Sequence, residues 1–211
     1  MRHRDSGMTN WLAGAAVVAF AVFTQAASLT PAAAIDPSSL VPEAYTFAPE
    51  PFWIPSEVRA GLLDHSLEDS LAVHPDERGV ALNLEVLGGR LPGGYENSIL
   101  DFLLTPRPHL GANIAFGKTD QLYWGVTWDV KLFDRTFAEG FFGGAAHDGP
   151  LDTPGRSSYG CQVNFHEGLS LGYSLTQEWR LMAEIDHMSN ANLCTPNRGI
   201  TNTGLRIGYL F

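Results

Sequence analysis

The sequence predicts an all-β protein, an eight-stranded antiparallel transmembrane β-barrel. Three observations predict it. Only 17% of the 211 residues are charged, against roughly a quarter in an ordinary soluble domain. No stretch after residue 40 approaches the roughly 18 apolar residues of a membrane helix. From Glu57 onward, apolar and polar residues alternate in segments of about ten, separated by Gly, Pro, Asp or Asn. Inside a bilayer every backbone polar group must be paired within the structure, so only helices and closed barrels can cross. With the helix set aside, the barrel remains, and the 22 glycines and 11% aromatic residues suit it.

The charge balance excludes one broad class. Thirteen Lys and Arg stand against 23 Asp and Glu, a formal charge of −10. No excess of cations exists to neutralise phosphates, so general nucleic-acid binding through a basic surface is ruled out.

The N-terminus reads as an export signal. Arg2 and Arg4 precede the apolar run Trp11 to Phe23, and small residues follow at Ala26-Ala27-Ser28 and Ala32-Ala33-Ala34. This is the charged, apolar, small-residue order of a secretory signal. Cleavage after Ala34 leaves Ala at both −3 and −1, and cleavage after Ala26 is the alternative. The other reading, an uncleaved anchor, needs a longer apolar run, since a span takes roughly 18 residues. The predicted organisation is a signal peptide over 1–34, an irregular periplasmic lead-in over 35–56 and the barrel over 57–211. The lead-in carries Pro37, Pro42, Pro49, Pro51 and Pro55 and has no period.

The alternation predicts strands over 57–66, 79–88, 107–117, 121–132, 135–146, 160–174, 177–189 and 202–211. Eight is an even number, as bacterial barrels require. Residues 89–106 are too long for a barrel turn, and part of them is read as extending a neighbouring strand. In the last strand Leu205, Ile207, Tyr209 and Phe211 share one face, with Arg206 and Gly208 on the other. In 177–189, Trp179, Leu181, Ala183 and Ile185 oppose Arg180, Glu184 and Asp186. In 121–132, Leu122, Trp124, Val126, Trp128 and Val130 alternate with Tyr123, Thr127, Asp129 and Lys131. In lipid the apolar face points outward and the polar face lines the interior. In a soluble barrel the assignment inverts. An eight-stranded interior is filled by side chains, which argues against a transport pore. His65, with Arg59 and Leu63, takes interior parity and is read as a core hydrogen-bonding residue.

With both termini periplasmic, the turns near 133–134 and 175–176 are periplasmic, and the longer loops 147–159 and 190–201 are extracellular. Cys161 then begins strand 6 at the extracellular end, and Cys194 lies in loop 190–201 beside it. An even cysteine count in an exported chain commonly means a bridge. A Cys161–Cys194 disulfide is predicted, with two free thiols as the alternative. No His/Cys spacing supports a structural zinc site.

One group of residues breaks the pattern. His187 and Ser189 are two apart on a strand and share a face. Parity places that face with Trp179, Leu181 and Ile185, towards lipid, at the extracellular end. An imidazole base beside a serine nucleophile suits attack on an ester within the lipid itself. Ordinary interfacial polar residues are the alternative.

The run His187-Met-Ser-Asn-Ala, then Pro196-Asn197-Arg-Gly199-Ile200 and the closing strand Gly204 to Phe211, resembles the PagL-type lipid A deacylases. Gly160-Cys161 and the stretch Glu167 to Tyr173 resemble the acyloxyacyl hydrolase branch. The resemblance is specific over about 157–211 and looser over 57–150. It implies an eight-stranded outer-membrane barrel that hydrolyses an ester-linked 3-hydroxyacyl chain of lipid A without metal or cofactor. Its partner is lipopolysaccharide in the outer leaflet. By motif His187 is the general base and Ser189 the nucleophile. Asn190 and Asn197 support the oxyanion or order the loop.

The family pattern places a histidine-orienting acid where this chain has Thr201. Three expectations follow: Thr201 or Asn202 orients the imidazole by a neutral hydrogen bond, another carboxylate substitutes, or activity is lost. Asp186 and Glu184 face the interior. Glu167 has outward parity and is the candidate carboxylate. A two-residue turn near Leu175-Thr176 sets it opposite Ala183 or Ile185, short of His187. A bulge turning Glu167 inward, towards Arg180 or Arg206, is the alternative. The competing function is a non-catalytic barrel with a structural, adhesive or lipid-binding role, because fold alone does not separate the two.

Overall fold

The computed structural model describes residues 51–70 and 76–211. The predicted signal over 1–34 and most of the lead-in lie outside the described residues. Eight strands close into one antiparallel barrel in sequence order. They are β1 Pro55–His65, β2 Gly79–Gly88, β3 Arg107–Ile114, β4 Gln121–Lys131, β5 Thr136–His147, β6 Val163–Ser174, β7 Trp179–Ser189 and β8 Ile200–Leu210. Among the described residues two short helices join them, α1 Leu67–Ser70 between β1 and β2 and α2 Ser98–Leu104 between β2 and β3. One end of the barrel carries the start of β1 and the end of β8, and is called here the terminal end. The β1–β2, β3–β4, β5–β6 and β7–β8 connections form the opposite, loop end.

The inside-out pattern is that of a barrel in lipid. Leu62, Leu84, Leu122, Leu169, Ile185 and Leu205 are exposed on the outer wall. Arg59, Arg107, Arg180, Arg206, Glu57, Glu85, Glu139 and Glu184 are buried in the interior. The charged interior survives burial because opposite charges are paired at short range. Arg59 lies 2.8 Å from Glu57, 3.3 Å from Glu85 and 2.6 Å from Glu139. Arg107 lies 2.7 Å from Glu57, and Arg206 pairs with Glu85 at 2.9 Å and also with Glu184. Breaking one such pair leaves an uncompensated charge, typically a loss of about 3–5 kcal/mol. His65 is fully buried, with Nε2 3.5 Å from Glu77 Oε2, in line with its expected place in the core.

The strand bounds depart from expectation in informative places. Residues 89–106 do not extend a strand: they carry α2 at the terminal end. Asn97 caps it, its side chain accepting from Leu100 N at 3.0 Å. Asp101 accepts from the backbone N–H groups of Gly94 and Tyr95, at 2.7 and 3.1 Å, which hold its carboxyl below the usual carboxylate range. The Trp128 indole donates to Leu103 O at 3.1 Å and ties the helix to β4. Cys161 precedes β6 rather than beginning it, and β8 starts at Ile200, so Thr201 belongs to the strand and not to the loop. The β6–β7 turn is longer than two residues. Ser174 pairs with Arg180, and the Thr176 hydroxyl accepts from Glu178 N and Trp179 N at 3.1 and 3.0 Å.

Candidate functional site

The longer turn moves the β6–β7 register and corrects the expected position of Glu167. It stands directly opposite His187, not opposite Ala183 or Ile185. On the other side His187 pairs with Thr201. Side chains alternate along each strand, so residues directly opposite share a face. Glu167, His187 and Thr201 therefore form one row across three strands on the outer wall near the loop end. No bulge turns Glu167 inward. It makes no hydrogen bond with His187, and its Oε2 is buried without a partner among the described residues.

The imidazole is engaged on its other side. His187 Nδ1 lies 2.8 Å from Thr201 Oγ1. The Thr201 hydroxyl in turn donates to Glu68 Oε1, and Thr201 N donates to Glu68 Oε2 at 3.0 Å. Glu68 Oε1 is itself 3.9 Å from His187 Nδ1. Glu68 belongs to α1, in the β1–β2 connection. The reason it reaches β8 is local. The β1–β8 ladder ends at Asp64–Thr203, so Thr201 has no partner on β1 and its N–H is open to a side chain. Ser66, at φ 59°, turns the chain away from β1, and its N–H donates to Asn202 Oδ1 at 3.3 Å. Asp69 then anchors α1, accepting from Glu77 N at 2.7 Å and pairing with Arg198.

A hydroxyl has one proton. Because Thr201 gives its proton to Glu68, it can only accept from Nδ1, which must carry the hydrogen. Nε2 then presents its lone pair. Among the described residues Nε2 has no hydrogen-bond partner, and Ser189 Oγ is not bonded to it. Ser189 ends β7 one row beyond His187 on the same face, opposite Phe165, and is 8% exposed. Gly199, at φ 71°, lies against the imidazole: a Cβ there would sit 2.9 Å from Cε1 and 3.2 Å from Nε2.

The two asparagines order the loop. Asn190 Nδ2 donates to Tyr159 O at 2.7 Å and to Pro196 O at 3.0 Å, while Asn190 N donates to Asn197 Oδ1 at 2.9 Å. The Asn190 donors, side chain and backbone, are thus engaged within the loop. The disulfide Cys161–Cys194, with Cα atoms 5.6 Å apart, ties the same loop to the segment before β6. Beside Ser189 the outer wall carries a groove of about 190 Å³, lined by Gly143, Gly144, Cys161, Val163, Phe165 and Leu193 among others. Asn164 and Asn190 complete the lining, which is otherwise apolar. Among the described residues no group of three or more His, Cys, Asp or Glu side chains is placed to hold a metal ion.

The structure brings His187, Ser189 and Thr201 together on the outer wall, where parity put the first two. Sequence reasoning missed Glu68. Parity arguments search strands, whereas Glu68 lies in a connection 133 residues from Thr201. Its one sequence signal is an acidic pair, Glu68-Asp69, on the loop that precedes β2.

The fold and site together define a transmembrane β-barrel with a His–Ser pair turned towards lipid at its loop end. The family model described as lipid A 3-O-deacylase (PagL) matches residues 121–210, which span β4 to β8 and include His187, Ser189, Asn190, Asn197 and Thr201. The resemblance to the PagL-type deacylases is thereby borne out over that part of the chain, and Glu68 lies outside it. The crystal structure of the outer membrane enzyme PagL superposes with a TM-score of 0.56 at 18% identity, covering 74% of this chain and 100% of that one. The N-terminal barrel domain of Pseudomonas aeruginosa OprF gives a TM-score of 0.46 at 12% identity, covering 74% and 98%. No curated protein matches the chain.

Proposed function

We propose that this protein is an outer-membrane serine esterase that removes an ester-linked 3-hydroxyacyl chain from lipid A. The observation that carries the reading is the outward-facing His187, with Nε2 unpartnered one row from Ser189 and a largely apolar groove beside them. In a water-soluble esterase such a pair lies in a cleft. Here it faces the lipid, where an acylated glycolipid in the outer leaflet is the substrate within reach. The terminal end faces the periplasm and the loop end the outside. Residues 1–34 serve as the export signal and 35–56 as the lead-in to the barrel.

In the reaction Ser189 Oγ attacks the acyl carbonyl carbon, and its proton passes to His187 Nε2. The tetrahedral intermediate collapses, the ester C–O bond breaks, and the sugar oxygen leaves with that proton. Water then attacks the acyl-serine, giving its proton to His187, and the freed 3-hydroxy acid departs as Ser189 regains its hydrogen. The groove at Phe165, Val163 and Leu193 receives the acyl chain. The two asparagines and the disulfide hold the loop that borders Ser189.

Expression in an outer membrane followed by mass spectrometry of lipid A tests the reading. Loss of one 3-hydroxyacyl mass, abolished by Ser189→Ala, supports it. An unchanged lipid A in the presence of correctly folded barrel overturns it in favour of a non-catalytic barrel.

A further inference from the structure

We infer that Glu68 is the acidic positioning residue of this site, acting on His187 through the Thr201 hydroxyl. The inference rests on the esterase reading given above. Three observations carry it. Both Glu68 carboxylate oxygens are bound by Thr201, one by its N–H at 3.0 Å and one by its hydroxyl. That hydroxyl meets Nδ1 at 2.8 Å, so the three groups form one unbroken chain. Finally, α1 is fixed from two sides, by Asp69 on Arg198 and on Glu77 N, and by Ser66 N on Asn202. The carboxylate is thus placed rather than incidental.

The chain has a chemical sense. When Nε2 takes the serine proton, the imidazole becomes a cation. A carboxylate 3.9 Å from Nδ1 stabilises that cation. Thr201 alone cannot do so, because a hydroxyl carries no charge. It transmits orientation and Glu68 supplies the charge. The other acids near the ring do less. Glu167 lies opposite on β6 without bonding to it. Asp186 on β7 faces the interior, where it bonds Asn202 at 2.8 Å and lies 3.4 Å from His166. The position that Thr201 occupies is therefore not vacant of acid function. The carboxylate has moved to a different connection of the barrel and works through one extra hydrogen bond.

Glu68→Gln tests this sharply. A glutamine amide can donate to Thr201 Oγ1, which frees the hydroxyl proton to bond Nδ1 and favours the wrong tautomer. Expected is a fall in kcat of about 10- to 100-fold with KM little changed. The acidic limb of the pH–rate profile should move down by about one pH unit, since removing a nearby anion weakens proton binding by the imidazole. Adding Thr201→Glu to Glu68→Gln puts a carboxylate directly beside Nδ1 and should restore the rate to within a few-fold.

A second readout does not depend on turnover. Nitrogen-15 spectra of histidine-labelled protein in nanodiscs should show His187 protonated at Nδ1 in the wild type. In Glu68→Gln the ring should shift towards the Nε2–H tautomer and titrate about one pH unit lower. A Glu68→Gln barrel with wild-type rate, or with lowered rate but unchanged His187 spectra, overturns the inference. If the wild type leaves lipid A intact while the spectra shift as described, the esterase reading fails and the Glu68 assignment stands.

Discussion

Glu167 and His187 face each other across β6 and β7, yet the imidazole is hydrogen-bonded on its opposite side, to Thr201 at 2.8 Å. Adjacency on a sheet is not the same as engagement. Glu167→Gln should therefore leave the deacylation rate within about threefold of wild type, because it breaks no hydrogen bond and only changes a charge near the ring. Steady-state rates on purified lipid A decide this. A fall of about a hundredfold would make Glu167 the functional acid and contradict the bonding just described.

Gly199→Ala should damage the site more than the fold. The residue has φ 71°, and a methyl group there would press on the His187 ring at 2.9 Å. Strain at a left-handed position costs about 1 kcal/mol, which a closed barrel tolerates. Displacement of the imidazole by about 1 Å can cost about a hundredfold in rate. The expected result is a barrel with near-normal heat-modified gel migration and a kcat at least about tenfold lower.

Loop 190–199 should depend on both its asparagine and its disulfide. Asn190→Ala removes the amide that joins Tyr159 O to Pro196 O, about 0.5–1.5 kcal/mol for each hydrogen bond lost, with Cys161 N still donating to Tyr159 O. Cys161→Ser together with Cys194→Ser removes a crosslink spanning 33 positions, about 3–4 kcal/mol in the chain-entropy model. Both variants should show faster protease cleavage in this loop, with the strands still protected. In the wild type, alkylation without reductant followed by mass analysis should find no free thiol.

The interior should be less forgiving. Arg59→Leu leaves Glu57, Glu85 and Glu139 without their shared partner. Loss of one member of a buried ion pair typically costs about 3–5 kcal/mol. Urea titration of folded barrel in detergent should show a clear drop in midpoint, while Glu68→Gln, at a half-exposed position, should not move it measurably.

Much of this architecture can be read from residues alone. Period-two alternation marked the strands around Trp124, Ile185 and Leu205, because a wall with lipid on one side and ion pairs on the other permits no other pattern. The same parity put His187 and Ser189 on the outer wall, and chain direction put Cys161 near Cys194. Three things were not readable. The helix at 98–104 depends on Asn97 capping and on Asp101 gathering the N–H groups of Gly94 and Tyr95. The Glu167–His187 register depends on Thr176 closing a longer turn than two residues. Glu68 depends on where the β1–β8 ladder stops, which is a property of closure and leaves no periodic trace.

That closure has a consequence in time. Glu68 follows the first strand and Thr201 opens the last, 133 residues apart. They meet only where the two ends of the sheet have zipped together from Glu57–Leu210 to Asp64–Thr203. A chain in transit, with its sheet still open, can already hold His187 beside Thr201 but lacks the carboxylate behind them. The complete hydrogen-bonded relay is therefore a seal on the seam, present only in a barrel that has finished assembling in its membrane.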